Sequence, residues 1–440
     1  MIAALETAWL DASPAVQDAL RLALLLVPAL VTGALALRGQ APGPLVRALL
    51  LRFRWTNLLF AGLMALSVGL GVALIAQERA IREGSARAAD PFDILVAAPG
   101  DEIGLMLSAV YLQPASAPLL GGDVLDRLQR DDRLTLIAPL AFGDSHAGAP
   151  VVGTTAAFLD RIGGPLAEGR VWEAAHEAVI GARSPLALGD EIAPAHGAGF
   201  SADPQAHDGA HLTVVGRMAP TGGPWDRAVV APVEFVWAVH GLADGHAPGA
   251  ERLGPPFDPD HFPGTPAFVI STRTLAGAYA ARARHTDATS MAFFPGATLS
   301  RLHLLLGDLR EAMSLMALAA QGLAAAGVLG GLVALTRLFA RRFALLRALG
   351  APRRFVLAVV WAYAATLMGA GAVLGLAVGA VGAEALAGLV SARTDLALSA
   401  GIGWAEAHLA AAVFSLTTVL ALVPALAAYR RSPALDLRAG

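Results

Sequence analysis

The chain has 440 residues, 56% of them hydrophobic and 15% charged, with a formal net charge of −3. This apolar excess excludes an ordinary soluble protein, and the near-balanced charge excludes the basic footprint of a nucleic-acid partner. Cysteine is absent, which excludes disulfides, thiolate metal sites and cysteine nucleophiles, and every Lys/Arg-type position is arginine.

Residues 1–20 are mixed, with Glu6, Asp11 and Asp18 and no positive side chain before Arg21. Leu22–Leu37 is apolar, contains Pro28 and ends at Arg38. Acids ahead of the run and the lack of a basic start make it a poor signal peptide. The acidic outer end and the basic inner end (Arg38, Arg47, Arg52, Arg54) predict an extra span over about 20–37 with its N-terminus outside. The alternative is a helix lying along the membrane. Residues 1–56 therefore comprise this helix and a cytoplasmic basic linker.

Asn57–Gln77 is the first of four clear spans and runs outward, since its basic flank precedes it. Glu78–Glu83 continues it as a stalk. From about residue 84 to 300 the apolar runs shrink to strand length: Phe92–Ala98, Thr135–Ala141, Ala178–Gly181, His211–Val215, Arg227–Ala231 and Ala267–Ser271. Helical patterns at Asp123–Arg130 and Thr274–Ala283 separate some of them. Residues 78–311 thus read as a mixed α/β extracytoplasmic domain with stalk helices, the second stalk at Arg301–Glu311. Residues 312–440 hold three more spans, near 312–336, 355–383 and 407–429, with a short outer segment at Glu384–Glu406. The fold class is a helical transmembrane bundle with a mixed α/β outer domain between its first clear span and the next.

Thr336–Phe355 carries Arg337, Arg341, Arg342, Arg347, Arg353 and Arg354 and no acid. Moving arginine across a bilayer costs about 2.5–3.5 kcal/mol per residue even on the lenient insertion scale, so this loop stays in the cytoplasm. Phe339, Phe343, Leu346 and Leu349 recur roughly as one helical face, and Gly350 and Pro352 supply a stop. The pattern predicts a short amphipathic helix on the inner membrane surface over 337–354. A plain basic loop that only sets topology is the alternative.

ALLRALGAPRR (Ala344–Arg354) resembles the segment after the second membrane helix in ABC transporter permeases of the MacB/FtsX type, close to E-I-A-x-L-R-A-L-G-A-x-R. The family's glutamate ahead of this run is replaced here by Arg342 and Phe343. FDILVAAPG (Phe92–Gly100), GGPLAEGRVWEAAHEAVIGARSPLALGDEI (Gly163–Ile192) and VVGRMAPTGGPWDRAVV (Val214–Val230) resemble stretches of that family's outer domain, in the same order. The closing SPALDLRAG is similar to its terminal P-x-x-x-L-R.

The resemblance implies a permease subunit in the bacterial cytoplasmic membrane, with its large domain outside. Arg341, Arg342, Leu345, Leu346, Arg347, Ala348, Leu349 and Gly350 would then couple it to a separate ABC ATPase subunit. It further implies a second permease copy in a homodimer, an envelope adaptor or periplasmic partner, and export or extraction of a peptide, lipoprotein or other amphiphile. The competing expectations are a non-transporting regulator that activates an envelope enzyme, and an extracytoplasmic sensor of metals or peptides.

Gly371, Gly375 and Gly379, with Gly327 and Gly331, repeat the small-residue spacing that lets helices approach in lipid, either between two copies or within one. The spans hold almost no ionisable residue in mid-course, against an ion-driven carrier. A phosphate-binding loop needs a lysine that this chain lacks, so no cofactor is expected here and ATP would bind the partner. Neither G-x-S-x-G nor H-E-x-x-H occurs, so no catalytic residue is assigned, and His176 beside Glu177 reads as a surface position. Nine of the eleven histidines fall between His146 and His285. His207, His211 and His261 are the candidate metal ligands, against a reading of these loops as solvated surface.

Overall fold

The computed structural model describes residues 9, 11–114, 117–196, 210–250 and 252–431. Helices α1 (Pro14–Leu37), α2 (Gly43–Arg52) and α3 (Arg54–Ala89) come first. Next are β1 (Ile94–Ala97), α4 (Glu102–Ala109), α5 (Gly122–Gln129), β2 (Leu134–His146), β3 (Ala149–Thr154) and α6 (Ala156–Gly163). The strands β4 (Glu168–Gly169), β5 (Glu177–Ile180), β6 (Glu191–Ile192), β7 (Ala195–His196), β8 (Leu212–Arg217) and β9 (Val229–Pro232) follow. Then come α7 (Val233–Val239), β10 (Ala267–Thr272), α8 (Leu275–Arg284), β11 (Met291–Phe293) and α9 (Pro295–Leu305). The remaining elements are α10 (Gly307–Leu338), α11 (Ala340–Ala348), α12 (Arg353–Thr394), α13 (Trp404–Leu420) and α14 (Leu422–Arg430).

The chain divides into two compact units. The first comprises Met1–Ala80, Asp308–Gly388 and Ser399–Gly440. Among the described residues, 5 helical stretches are long and apolar enough to cross a membrane: Pro14–Leu37, Arg54–Ala89, Ser314–Ala334, Arg353–Thr394 and Trp404–Arg430. The N-terminal one is longer than its apolar run suggests, because Asp18 and Arg21 pair at 3.2 Å and let the helix start before them. Its 24 residues span about 36 Å, more than a hydrocarbon core of about 30 Å. It packs on α13, where His408 Nε2 lies 2.9 Å from the Asp18 carbonyl and Ser415 hydrogen-bonds the Leu25 carbonyl. Contacts that advance together along both helices mean that they run in the same direction.

The glycines of α12 set the closest approach in this unit. A Cβ on Gly371, Gly375 or Gly379 would come within 2.5, 2.6 and 2.5 Å of Met64, Val68 and Val72 respectively. Gly69 returns the favour, since a Cβ there would lie 3.2 Å from the Gly375 carbonyl. The register again advances together, so α3 and α12 are parallel, as the arginines at both of their N-terminal ends require. On α10, Gln321 packs on Gly71 and Gly331 on Phe60, a register running the opposite way. Glu406 is fully buried at the start of α13, where its carboxylate accepts from Arg79 at 2.9 Å and from the Gly403 N–H at 2.8 Å.

Several boundaries differ from the sequence expectation. The basic linker contains α2. The stalk expected at Arg301–Glu311 is broken at Leu306 between α9 and α10. Helix α12 continues well past Ala383. The last span is two helices meeting at Ala421, because Pro424 has no N–H to donate to the preceding turn. The terminal SPALDLRAG motif lies outside the described residues.

The second unit, Ile81–Gly307 with Leu389–Leu398, is built on an 11-stranded mixed sheet ordered β11-β1-β10-β2-β3-β9-β5-β8-β4, with β6 on β8 and β7 on β2. The β3–β9 and β5–β8 pairs are parallel and the others antiparallel. All six expected strands are present. β3, β4, β6, β7 and β11 are additional to that expectation, since a short APVVGT stretch and strands of two or three residues carry no alternation to read. Ile94, Val96, Phe268 and Ile270 are fully buried at the sheet centre, packed with Leu125 and Leu128 of α5.

The loop into β5 is closed by a bidentate pair in which Arg170 donates to both Glu177 oxygens at 2.7 and 2.6 Å. The Glu173 N–H adds a bond at 2.7 Å. These donors, Arg170 first, hold the Glu177 carboxyl at about 2, below its ordinary value of 4.5. A depressed carboxyl contributes stability above its unfolded pKa and loses it as pH falls through the folded one. Hydrogen exchange over residues 170–177 is therefore expected to accelerate as pH drops from 4.5 towards 2, after correction for the intrinsic rate. Glu177→Gln should be loose throughout and lack this step; a step that persists in that variant would rule out the clamp.

Candidate coupling surface

Helix α11 is the short basic connection between α10 and α12. It is narrower than the expected 337–354: α10 runs through Leu338, Phe339 makes the bend, and α12 begins at Arg353. Its C-terminus is a Schellman turn, in which the Ala351 N–H bonds the Leu346 carbonyl at 3.0 Å and the Gly350 N–H bonds Arg347 at 3.1 Å. Gly350 takes φ +101, a backbone conformation that suits glycine.

Of the apolar positions that periodicity marks on α11, Phe339, Phe343 and Leu346 meet the chain's own bundle and Leu349 does not. Phe339 is 6% exposed, Phe343 9% and Ala344 2%. Phe339 meets Phe53 edge-on at 5.0 Å, and both rings belong to a cluster with Val356, Val359, Val360 and Tyr363. Leu346 is half-buried against the same cluster. Arg347 donates to the Arg431 carbonyl at 2.5 Å. Leu346 and Arg347, assigned to coupling from sequence, thus also make contacts within the bundle.

Arg341, Arg342, Leu345, Ala348, Leu349 and Gly350 are exposed. Leu345 is 50% and Leu349 86% accessible. Arg342 lies over the Phe339 ring at 5.5 Å, while Arg341, Leu345 and Leu349 follow at fourth positions along one outward stripe. Two leucines flanked by guanidinium groups form a compact amphipathic knob suited to a groove on another protein.

Helix α2 supports this knob and was read only as a linker. Val46 is buried, and Leu45, Leu49, Leu50 and Phe53 pack on the cluster holding Phe339 and Phe343. Its signal was present as apolar residues at third and fourth positions (Leu45, Val46, Leu49, Leu50, Phe53), interleaved with Arg47 and Arg52.

The glycine candidates are largely engaged within the chain. Gly371, Gly375 and Gly379 face α3, and Gly331 faces Phe60, so those surfaces are occupied; Gly327 has nothing within 4 Å. Of the metal candidates, His207 lies outside the described residues. His211 is exposed, and His261 is engaged with Asp258 at 2.8 Å. His246 is buried and sits 3.4 Å from Glu234, which also accepts from the Gly254 N–H, so this pair ties down the loop before β10. Among the described residues no three His, Cys, Asp or Glu side chains come together as a metal ion requires.

Fold and site define a class: a polytopic helical protein with apolar helices long enough to cross a membrane, a mixed α/β domain, and a short basic helix between two of those long helices. No protein-family model matches the chain, and neither does any curated protein. Among solved structures it is similar to the extracellular domain of the noncanonic ABC-type transporter YknZ from Gram-positive bacteria, at 11% identity, covering 46% of this chain and 98% of that one, with a TM-score of 0.28. It is also similar to the periplasmic region of MacB from Actinobacillus actinomycetemcomitans, at 10% identity, covering 49% of this chain and 95% of that one, with a TM-score of 0.29. At these low scores neither similarity carries function across to this chain.

Proposed function

We propose that this chain is the permease subunit of a MacB/FtsX-type ABC transporter in a bacterial cytoplasmic membrane, paired with a separate ATPase subunit and a second copy of itself. The observation that carries this reading is α11, whose inner face is locked into the bundle while Arg341, Leu345, Ala348 and Leu349 project outward. A helix held this way moves as one body with α10 and α12, which is what a separate motor needs to grip. The motor closes on ATP, α11 is displaced, and the long helices carry that displacement to the outer domain. The work done there is export or extraction of a peptide, lipoprotein or other amphiphile.

The test is purification of the tagged full-length chain from its native membranes in mild detergent. An ABC ATPase with vanadate-sensitive activity should co-purify, and its absence would sink the reading. Topology provides a check independent of the partner. In this cysteine-free chain, Ala351→Cys is expected to react with a membrane-impermeant maleimide only from the inside, and Ala250→Cys only from the outside. Labelling of Ala351→Cys from outside would overturn the orientation and the coupling role together.

A further inference from the structure

The segment after α12 is more than a connection between membrane helices. Asp395 ends α12 with φ +58, a left-handed position that glycine or asparagine would occupy at less strain. Aspartate supplies a carboxylate there. Arg227 pairs with that carboxylate at 2.8 Å, and Arg183 donates to the Asp395 carbonyl at 2.5 Å. Two residues on, the Ala397 N–H bonds the Gly222 carbonyl at 2.9 Å, and Arg87 donates to the Ala397 carbonyl at 3.2 Å. Leu398 packs against Gly84 so closely that a Cβ on that glycine would lie 2.4 Å from its methyl.

The receiving turn, Thr221–Arg227, is rigid. Asp226 is 1% exposed and accepts from the Thr221 N–H and hydroxyl, both at 2.7 Å, and from the Gly222 N–H at 3.1 Å. Trp225 is buried between Phe92 and Phe158, with ring centroids 6.0 and 5.9 Å away. The whole arrangement lies within the second unit, which includes Leu389–Leu398.

We propose that Asp395, with Arg227 and Arg183, is a latch that fixes the outer end of α12 to the Thr221–Arg227 turn. Helix α12 starts directly after the α11 turn and is 42 residues long, about 63 Å end to end. In sequence it runs from the α11 turn in the first unit to the latch in the second. This inference rests on the permease reading above. Asp395 acts as a positioning residue.

The test is a disulfide in the full-length protein. A Cβ on Gly222 would lie 3.7 Å from that of Ala397, within the range a disulfide spans. With no native cysteine, Gly222→Cys with Ala397→Cys should cross-link readily under copper phenanthroline. Asp395→Ala in that background removes the Arg227 ion pair but keeps the Arg183 bond to the main-chain carbonyl, and is expected to slow cross-linking by about two- to fivefold, the scale of a partly exposed ion pair. The swapped pair Asp395→Arg with Arg227→Asp should recover most of the rate. An unchanged rate in Asp395→Ala, or no recovery in a swapped protein of unaltered melting temperature, overturns the latch.

Because Gly222 has φ +76, hydrogen exchange at residues 389–398 in Asp395→Ala without added cysteines gives the second measure. Protection there should fall by a similar factor, and unchanged protection overturns the proposal. These readouts need no ATPase, so they can fail while the permease reading stands. With the ATPase bound, the cross-linked protein should keep its turnover. Loss of turnover reversed by reductant would mean that the contact opens in each cycle, and would overturn a fixed latch.

Discussion

Gly375→Leu is expected to lower the stability of the helical unit by about 3 kcal/mol, the upper end of what overpacking costs. The Cβ alone would sit 2.6 Å from the Val68 Cβ and 3.1 Å from the Ala65 carbonyl oxygen. A backbone oxygen cannot rotate away, so α3 and α12 must separate. In lipid that separation forfeits packing which no hydrophobic effect restores, since the tails already solvate apolar side chains. Gly322→Leu on α10 is the matched control, because nothing lies within 4 Å of that glycine, and its effect should stay within about 0.5 kcal/mol. Thermal unfolding in detergent followed by tryptophan fluorescence separates the two, Trp361 of α12 being buried. Equal melting temperatures for the two variants would show that the α3–α12 contact does not hold the unit together.

The glycine spacing on α12 was legible in the sequence, but its partner was not. Small residues at every fourth position announce a close helix contact without saying whether the other helix belongs to the same chain. The match came from Ala61, Ala65 and Gly69 on α3, small residues at the same spacing that average into an ordinary apolar span. Charge agrees with the parallel run of α3 and α12. Arginines cost the same to translocate whatever surrounds them, so span direction could be read one segment at a time.

Helix α11 shows the opposite case. Periodicity located α11, but it cannot tell a face buried in the chain's own bundle from one reserved for a partner. Phe339 and Phe343 are the larger apolar groups, and the bundle took them. The latch was legible only in part. The PTGGPWDR stretch stood out as a motif, yet its contacts with Asp395 and Ala397 join residues far apart in sequence, and no local pattern encodes such a pairing.

Leu345→Asp combined with Leu349→Asp is expected to abolish stimulation of the ATPase while leaving insertion and melting temperature unchanged. Burying a leucine on a partner is worth about 1.5–3 kcal/mol, so losing both should weaken docking by at least a hundredfold or so, at about 1.4 kcal/mol per factor of ten. Introducing two carboxylates into the docked contact adds a desolvation cost. The bundle should not register the change, because Leu345 and Leu349 are 50% and 86% accessible and touch solvent in the chain alone. Leu346→Asp supplies the contrast: its side chain packs on the cluster around Phe343 and Val356, so that variant should lose melting temperature before it loses coupling. Two measurements on the same preparations decide the matter, thermal stability in detergent and ATP turnover with the partner at fixed concentration. Full stimulation by a correctly inserted Leu345→Asp, Leu349→Asp protein would reduce α11 to a basic topology signal, and the motor would have to grip the permease elsewhere.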